Sequence, residues 1–220
     1  MIKAILWDFG GVITTSPFEA FNRYEEKNHI PKDFIRGINA SNPSTNAWAQ
    51  FESSRMSVDE FDREFEAESR SAGYAIPGKD VLGLLSGAVR PRMVKALKRC
   101  GQHFKLGCLT NNMRSDKGSA IPQTNEQMVQ SLEIIGLFDE VIESSVEGIR
   151  KPDPEIYRIA LARLAVDAGE CVFLDDLGIN LKPARAMGMK TIKVLNVDQA
   201  LSELEQYTGI AFNAPYTAHP

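Results

Sequence analysis

From Ala4 to Trp7 the chain is apolar without a break, and the run stops at a carboxylate, Asp8, followed closely by Gly10 and Gly11. An unbroken apolar run of this kind predicts a strand covered on both faces, as in a parallel sheet. The two glycines let the backbone turn sharply or approach a ligand closely. Asp8 then stands at the C-terminal edge of the sheet, where open α/β folds place their ligands. The plainer reading makes Asp8 the cap of a turn or helix.

The pattern changes after Thr14. Phe18, Phe21, Tyr24 and Ile30 recur at roughly helical spacing among charges, and Ser57-Val58-Asp59-Glu60 matches a helix N-cap with an acid three positions on. The helix it starts carries Phe61 and Phe65 on one face, while Pro31, Pro43, Pro77, Gly73, Gly78 and Gly87 punctuate the segment. Four or five helices and no convincing strand are predicted up to about Arg90. Roughly 75 residues without a strand are too many for a loop, so a separate helical subdomain is expected.

From Arg90 onward strand and helix alternate. The pattern predicts helices over Met93 to Cys100, Met128 to Ile135, Pro154 to Leu164, Leu181 to Met187 and Asp198 to Tyr207. It predicts strands over Phe104 to Leu109, Phe138 to Ile142, Cys171 to Leu174 and Lys190 to Leu195. Pro154 and Pro183 each suit the first turn of a helix. Alternation of this kind implies a parallel sheet with right-handed crossovers.

Four of the predicted strands are followed by polar groups: Asp8; Thr110 with Asn111; Lys151, in the loop after the third; and Asp175 with Asp176. In a parallel sheet these converge on one edge, bringing together a carboxylate nucleophile, a hydroxyl and amide, a cation and a pair of acids. That set suits phosphoryl chemistry, in which a carboxylate attacks a phosphate only when cations neutralise its oxygens. Mg²⁺ takes one or two protein carboxylates, carbonyls and water, and Asp8 with the acid pair meets that need. Singly, an Asp-Asp pair reads as a solvated turn and a Lys-Pro as a loop corner.

Composition narrows the partners. A net charge of −4 gives no reason to expect nucleic acid or an anionic membrane. No apolar run approaches the roughly 20 residues that span a bilayer. Met1-Ile2-Lys3 leads straight into a strand and leaves no room for a signal peptide. Cys100, Cys108 and Cys171 lie in apolar surroundings and read as reduced, buried thiols of a cytoplasmic protein. No repeat or low-complexity segment is present.

Taken together, Trp7-Asp8-Phe9-Gly10-Gly11-Val12, Leu109-Thr110-Asn111-Asn112, Gly148-Ile149-Arg150-Lys151-Pro152-Asp153-Pro154 and Phe173-Leu174-Asp175-Asp176-Leu177-Gly178-Ile179-Asn180 resemble the four motifs of the haloacid dehalogenase (HAD) superfamily. The last two most resemble the phosphatase domain of soluble epoxide hydrolases and the HAD-like domain fused to certain acyl-CoA dehydrogenases. The resemblance implies a Rossmann-like three-layer α/β core with a parallel sheet, over residues 1–15 and 90–220, and an inserted helical cap over 16–89. It implies that Asp8 forms an aspartyl-phosphate, that Thr110 and Asn111 bind the transferring phosphoryl group, and that Lys151 pairs with Asp8 and the phosphate. Mg²⁺ would be held by Asp8, the Gly10 carbonyl and Asp176, with Asp175 as a direct ligand or just behind. The expected partner is a small phosphorylated metabolite, and the expected state a monomer or homodimer.

One departure stands out: the second Asp of the usual Asp-x-Asp, the general acid and base, is Gly10 here. General acid–base help is worth about 10²–10⁴-fold, so a slow phosphatase, one acting on an acidic leaving group, or an inactive phosphate-binding module are all compatible with the motif. A haloacid dehalogenase also lacks that Asp, but it uses no Mg²⁺ and lacks the acid pair. In the cap, Trp48, Phe51, Arg36 and Arg55 are candidates for facing substrate, with the two aromatics read first as cap core. His29, His103 and His219 fall in no motif.

Overall fold

The structure is a computed structural model describing residues 1–53, 55–112, 114–115, 118–119 and 124–212; Met113 and His219 lie outside them. Strand β1 (Ala4–Trp7) is followed by five helices, α1 (Phe18–Lys27), α2 (Phe34–Ala40), α3 (Ala47–Glu52), α4 (Val58–Ser71) and α5 (Gly78–Gly83). Then come α6 (Pro91–Cys100), β2 (Lys105–Thr110), the two-residue strands β3 (Arg114–Ser115) and β4 (Gly118–Ser119), α7 (Asn125–Ile135), β5 (Glu140–Glu143), α8 (Ser144–Glu147) and α9 (Pro154–Leu164). The chain closes with β6 (Cys171–Asp175), α10 (Gly178–Ala186), β7 (Lys190–Lys193) and α11 (Val197–Thr208).

The main sheet has the order β5-β2-β1-β6-β7, with every pairing parallel. The β1 strand is central and wholly buried, as its unbroken apolar run requires. Its side chains alternate between two cores. Ile5 and Trp7 pack with Leu106, Cys108, Val172 and Leu174 under α6 and α11. Ala4 and Leu6 pack with Leu109 and Phe173 under α9 and α10 on the opposite face. These are the three layers of a Rossmann-like α/β protein.

The helices α1 to α5 enclose a third core, in which Phe21, Ile35, Phe51, Phe61, Phe65, Ile76 and Val81 meet. Ser57 and Glu60 form a reciprocal capping box at the start of α4. The buried Glu25 carboxylate accepts from the Asp33 and Ile35 amides at 2.7 and 2.8 Å, satisfying the start of α2. The two crossings between sheet and helices run side by side: Thr15 donates to Ala88, and Arg90 to Ile13, each at 2.8 Å.

Several boundaries differ from the sequence pattern: α7 begins at Asn125, behind a Thr124–Gln127 capping box, and β7 ends at Lys193. Helix α10 begins at Gly178, so Pro183 lies inside it and not in its first turn. The start carries no cap signal because the N-cap position is Leu177, whose side chain offers no acceptor. Strand β5 starts at Glu140. Phe138 is buried just ahead of it, and Asp139 exchanges two hydrogen bonds with the Leu106 main chain at 2.7 and 2.9 Å.

Candidate active site

The edge formed by the ends of β1, β2 and β6 carries the polar groups. Asp8 follows β1 directly and donates its amide to Leu174 at 2.9 Å, which keeps it in register with β6. Thr110 ends β2 and Asp175 ends β6. Lys151 arrives from the loop after α8 and is 1% exposed. Its ammonium lies 2.9 Å from Asp8 Oδ2 and 2.8 Å from Asp175 Oδ2. The other Asp8 oxygen accepts from the Phe9 amide at 2.7 Å.

Asn111 holds the lysine from behind. Its Oδ1 accepts from the Lys151 amide at 2.9 Å and its Nδ2 donates to the Lys151 carbonyl at 3.0 Å. Both ends of this carboxamide thus bond the lysine's main chain, and Nδ2 keeps a second hydrogen. Asp175 is equally committed: Leu177 N donates to Oδ1 at 2.8 Å, and Asn180 Nδ2 reaches both oxygens at 3.1 Å. Asp176 is partly exposed, and Ser16 donates to its Oδ2 at 3.1 Å.

Electrostatics follow from burial and charge count. Burial raises the Asp8 carboxyl well above the usual range; Lys151 opposes the rise, while Asp175 and Asp176 add to it. Burial also raises Asp176, with Asp175 adding, to about 6. For Lys151, burial works to lower the pKa, but Asp175 and Asp8 outweigh it and hold the ammonium above its ordinary value. Three carboxylates facing one ammonium leave a formal excess of two negative charges.

A hard divalent cation would offset that excess. Asp8, Asp175 and Asp176 offer oxygens within 4.8 Å of one another, and an all-oxygen set suits Mg²⁺. Gly11 makes the approach possible. Its φ is +76°, and a Cβ there would stand 2.2 Å from Asp176 Oδ2. At Gly10 a Cβ would meet nothing within 4 Å and φ lies outside the left-handed region, so the backbone itself does not demand glycine. The thiols are held in their protonated form by burial, which raises Cys100 and Cys171 to about 12 and also raises Cys108.

The remaining candidates fall elsewhere. Phe51 is fully buried and stacked on Phe61 with centroids 4.7 Å apart, and Trp48 meets the same ring edge-on. Arg36 lies 4.2 Å over the Phe18 ring and pairs with Asp33; Arg55 is exposed. His29 and His103 are exposed. Sequence reasoning assigned no role to Ser16, Asn180, Glu52 or Arg150. Asn180 lies within the fourth motif and Arg150 within the third, whereas Ser16 and Glu52 show their contacts only in three dimensions.

A parallel α/β core with these groups at one edge and a helical insert after the first strand defines a hydrolase class. The haloacid dehalogenase-like hydrolase pattern matches residues 2–188, and the chain belongs to that family. It is 35% identical over 219 residues to acyl-CoA dehydrogenase family member 10 of Mus musculus, covering 94% of this chain and 19% of that protein. Bifunctional epoxide hydrolase 2 of Mus musculus is 32% identical over 227 residues, covering 96% of this chain and 40% of the relative. The chain thus spans a minor part of both. Sesquiterpene phosphatase astK of Aspergillus oryzae is 27% identical over 214 residues, covering 94% and 97%. Among solved structures, an HAD-family enzyme of Bacteroides thetaiotaomicron in complex with magnesium and inorganic phosphate aligns with a TM-score of 0.57 at 18% identity, over 87% of this chain and 93% of that one. Among the described residues, no helix is long and apolar enough to cross a membrane.

Proposed function

We propose that this protein is a Mg²⁺-dependent phosphatase of a small phosphorylated metabolite, with Asp8 as nucleophile. The observation that carries the reading is the buried Lys151 ammonium bridging Asp8 and Asp175, with Asp176 beside them. Asp8, the Gly10 carbonyl and Asp176 would hold Mg²⁺, which when bound supplies charge neutralisation at the phosphoryl oxygens. The full hydrogen-bond complement of Asp175 makes it the organiser of Lys151, and Asp176 the ligand.

Asp8 Oδ2 attacks phosphorus, the bond to the leaving oxygen breaks, and an aspartyl-phosphate forms. Lys151 stays beside Asp8, where its charge opposes the rise that burial imposes on the carboxyl and faces the transferring oxygens. Thr110, ending the neighbouring strand, contributes its hydroxyl to the phosphoryl group. Asn111 acts by fixing the lysine's main chain. Water then hydrolyses the acyl phosphate and regenerates Asp8.

Gly10 shapes the substrate choice. With no carboxyl there, the leaving oxygen departs without a proton from that position, which favours aryl and acyl phosphates over alkyl ones. The same glycine favours a second reading, a module that binds phosphate without turnover. The relative named as a phosphatase over nearly its full length supports the first, and the acid pair stands against a dehalogenase. Mg²⁺-dependent hydrolysis of para-nitrophenyl phosphate tests the choice: turnover that chelator abolishes is expected, and binding of inorganic phosphate without turnover of any ester would favour the module.

A further inference from the structure

We propose that Glu52, at the end of α3 in the helical insert, is a positioning residue for Lys151. The inference rests on the reading of Lys151 as the cation that meets the phosphoryl group. Glu52 is buried at the seam between insert and core. Its Oε2 lies 2.8 Å from Arg150 Nη2, the guanidinium of the residue just before Lys151. Arg150 also reaches the Pro43 carbonyl of the insert at 3.4 Å.

A second path leaves the same residue. Fully buried Ser144 donates to the Glu52 carbonyl at 2.8 Å and accepts from the Asn112 amide at 3.1 Å. The Asn112 carboxamide is anchored in turn, accepting from Ser145 Oγ at 2.7 Å. Asn111, next in the chain, brackets the Lys151 main chain. The two paths close a ring from the insert through both loops to the lysine, so displacing Glu52 displaces its backbone. Placement errors near 1 Å at a reacting group cost about 10²-fold in rate.

The pair is poorly suited to a purely structural role. The Oε2 contact is close but not aligned as a hydrogen bond, and Arg150 Nε has no hydrogen-bond partner. Burial raises the Glu52 carboxyl to about 6, although Arg150, Lys151 and Trp48 oppose it. Replacing both members of the pair by well-packed neutral side chains would serve the fold as well or better. A buried charge whose partner, Arg150, is the residue next to a functional cation fits a positioning role.

The test compares Glu52→Ala, Arg150→Met, Arg150→Lys and the double variant Glu52→Gln/Arg150→Met with wild type. Three quantities are measured: affinity for inorganic phosphate in saturating Mg²⁺ by calorimetry, amide hydrogen exchange across 148–153, and melting temperature at pH 7.5. Glu52→Ala and Arg150→Met are expected to weaken phosphate binding by about fivefold or more and to speed exchange at the Lys151 amide. Arg150→Lys should recover part of the loss, and the double variant Glu52→Gln/Arg150→Met should melt no lower than wild type. Lower melting temperatures with unchanged phosphate affinity would reduce Glu52 to a structural joint and overturn the inference while leaving the site reading intact. Wild-type protein that binds no phosphate would instead overturn the site reading, and the inference with it.

Discussion

Lys151 places its ammonium 2.9 Å from the Asp8 carboxylate, although the two residues reach the sheet edge from opposite halves of the chain. With Lys151 1% exposed and Asp8 7%, neither charge is hydrated enough to stand alone. Removing the cation leaves Asp8 and Asp175 buried and uncompensated. Lys151→Met is therefore expected to destabilise the fold by about 3–5 kcal/mol at neutral pH. The loss should shrink as pH falls and Asp8, whose carboxyl burial raises, takes up a proton. Urea denaturation of the pair of proteins at pH 7.5 and pH 5 measures both.

Gly10 offers a gain-of-function test because its backbone accepts a side chain and the space beyond it is open. Gly10→Asp should raise alkyl phosphate turnover by about 10²-fold or more and flatten the dependence on leaving-group acidity. Wild type should cleave aryl and acyl phosphates and hardly touch alkyl ones. A Brønsted plot for both proteins, with melting temperature as control, checks this.

Asp176 is the acid with the fewest prior commitments, holding Ser16 at 3.1 Å. Asp176→Asn should weaken Mg²⁺ binding by about tenfold or more and leave the melting temperature of the metal-free protein near wild type. Titration calorimetry with MgCl₂ reads the affinity. An unchanged Mg²⁺ affinity would remove Asp176 from the ligand set.

The pH dependence of stability contains a separable contribution from Glu52, raised from 4.5 to about 6 in the fold. Between those values the folded state holds this proton more tightly than the unfolded chain does. The stabilisation is complete below pH 4.5 and is lost as pH rises through 6. The difference in unfolding free energy between wild type and Glu52→Gln should therefore shift by about 2 kcal/mol against wild type from pH 4.5 to 7, measured by urea denaturation across that range.

The candidate site was legible wherever a polar residue ended an apolar run. Asp8, Thr110 and Asp175 were readable because β1, β2 and β6 are buried on both faces, so their first polar residues mark one edge. Lys151 came less from pattern than from its Lys-Pro loop and the resemblance, since a loop has no period. Ser16 and Glu52, and the partner of Arg150, are not readable, because each contact joins residues far apart in sequence that folding alone brings near. The start of α10 has no sequence signal because its N-cap position is Leu177, which carries no side-chain acceptor. The departure at Gly10 was visible at once, but only the structure shows room for a side chain there.

Covalent capture at Asp8 tests the central claim most directly. Wild-type protein with Mg²⁺ and acetyl phosphate is quenched in acid during turnover and reduced with borohydride, which converts an aspartyl-phosphate to homoserine. Peptide mass spectrometry should then find homoserine at position 8, dependent on substrate and Mg²⁺ and absent from Asp8→Asn. Phosphate release by wild type with position 8 unmodified, or no release from any aryl or acyl phosphate, would contradict the account.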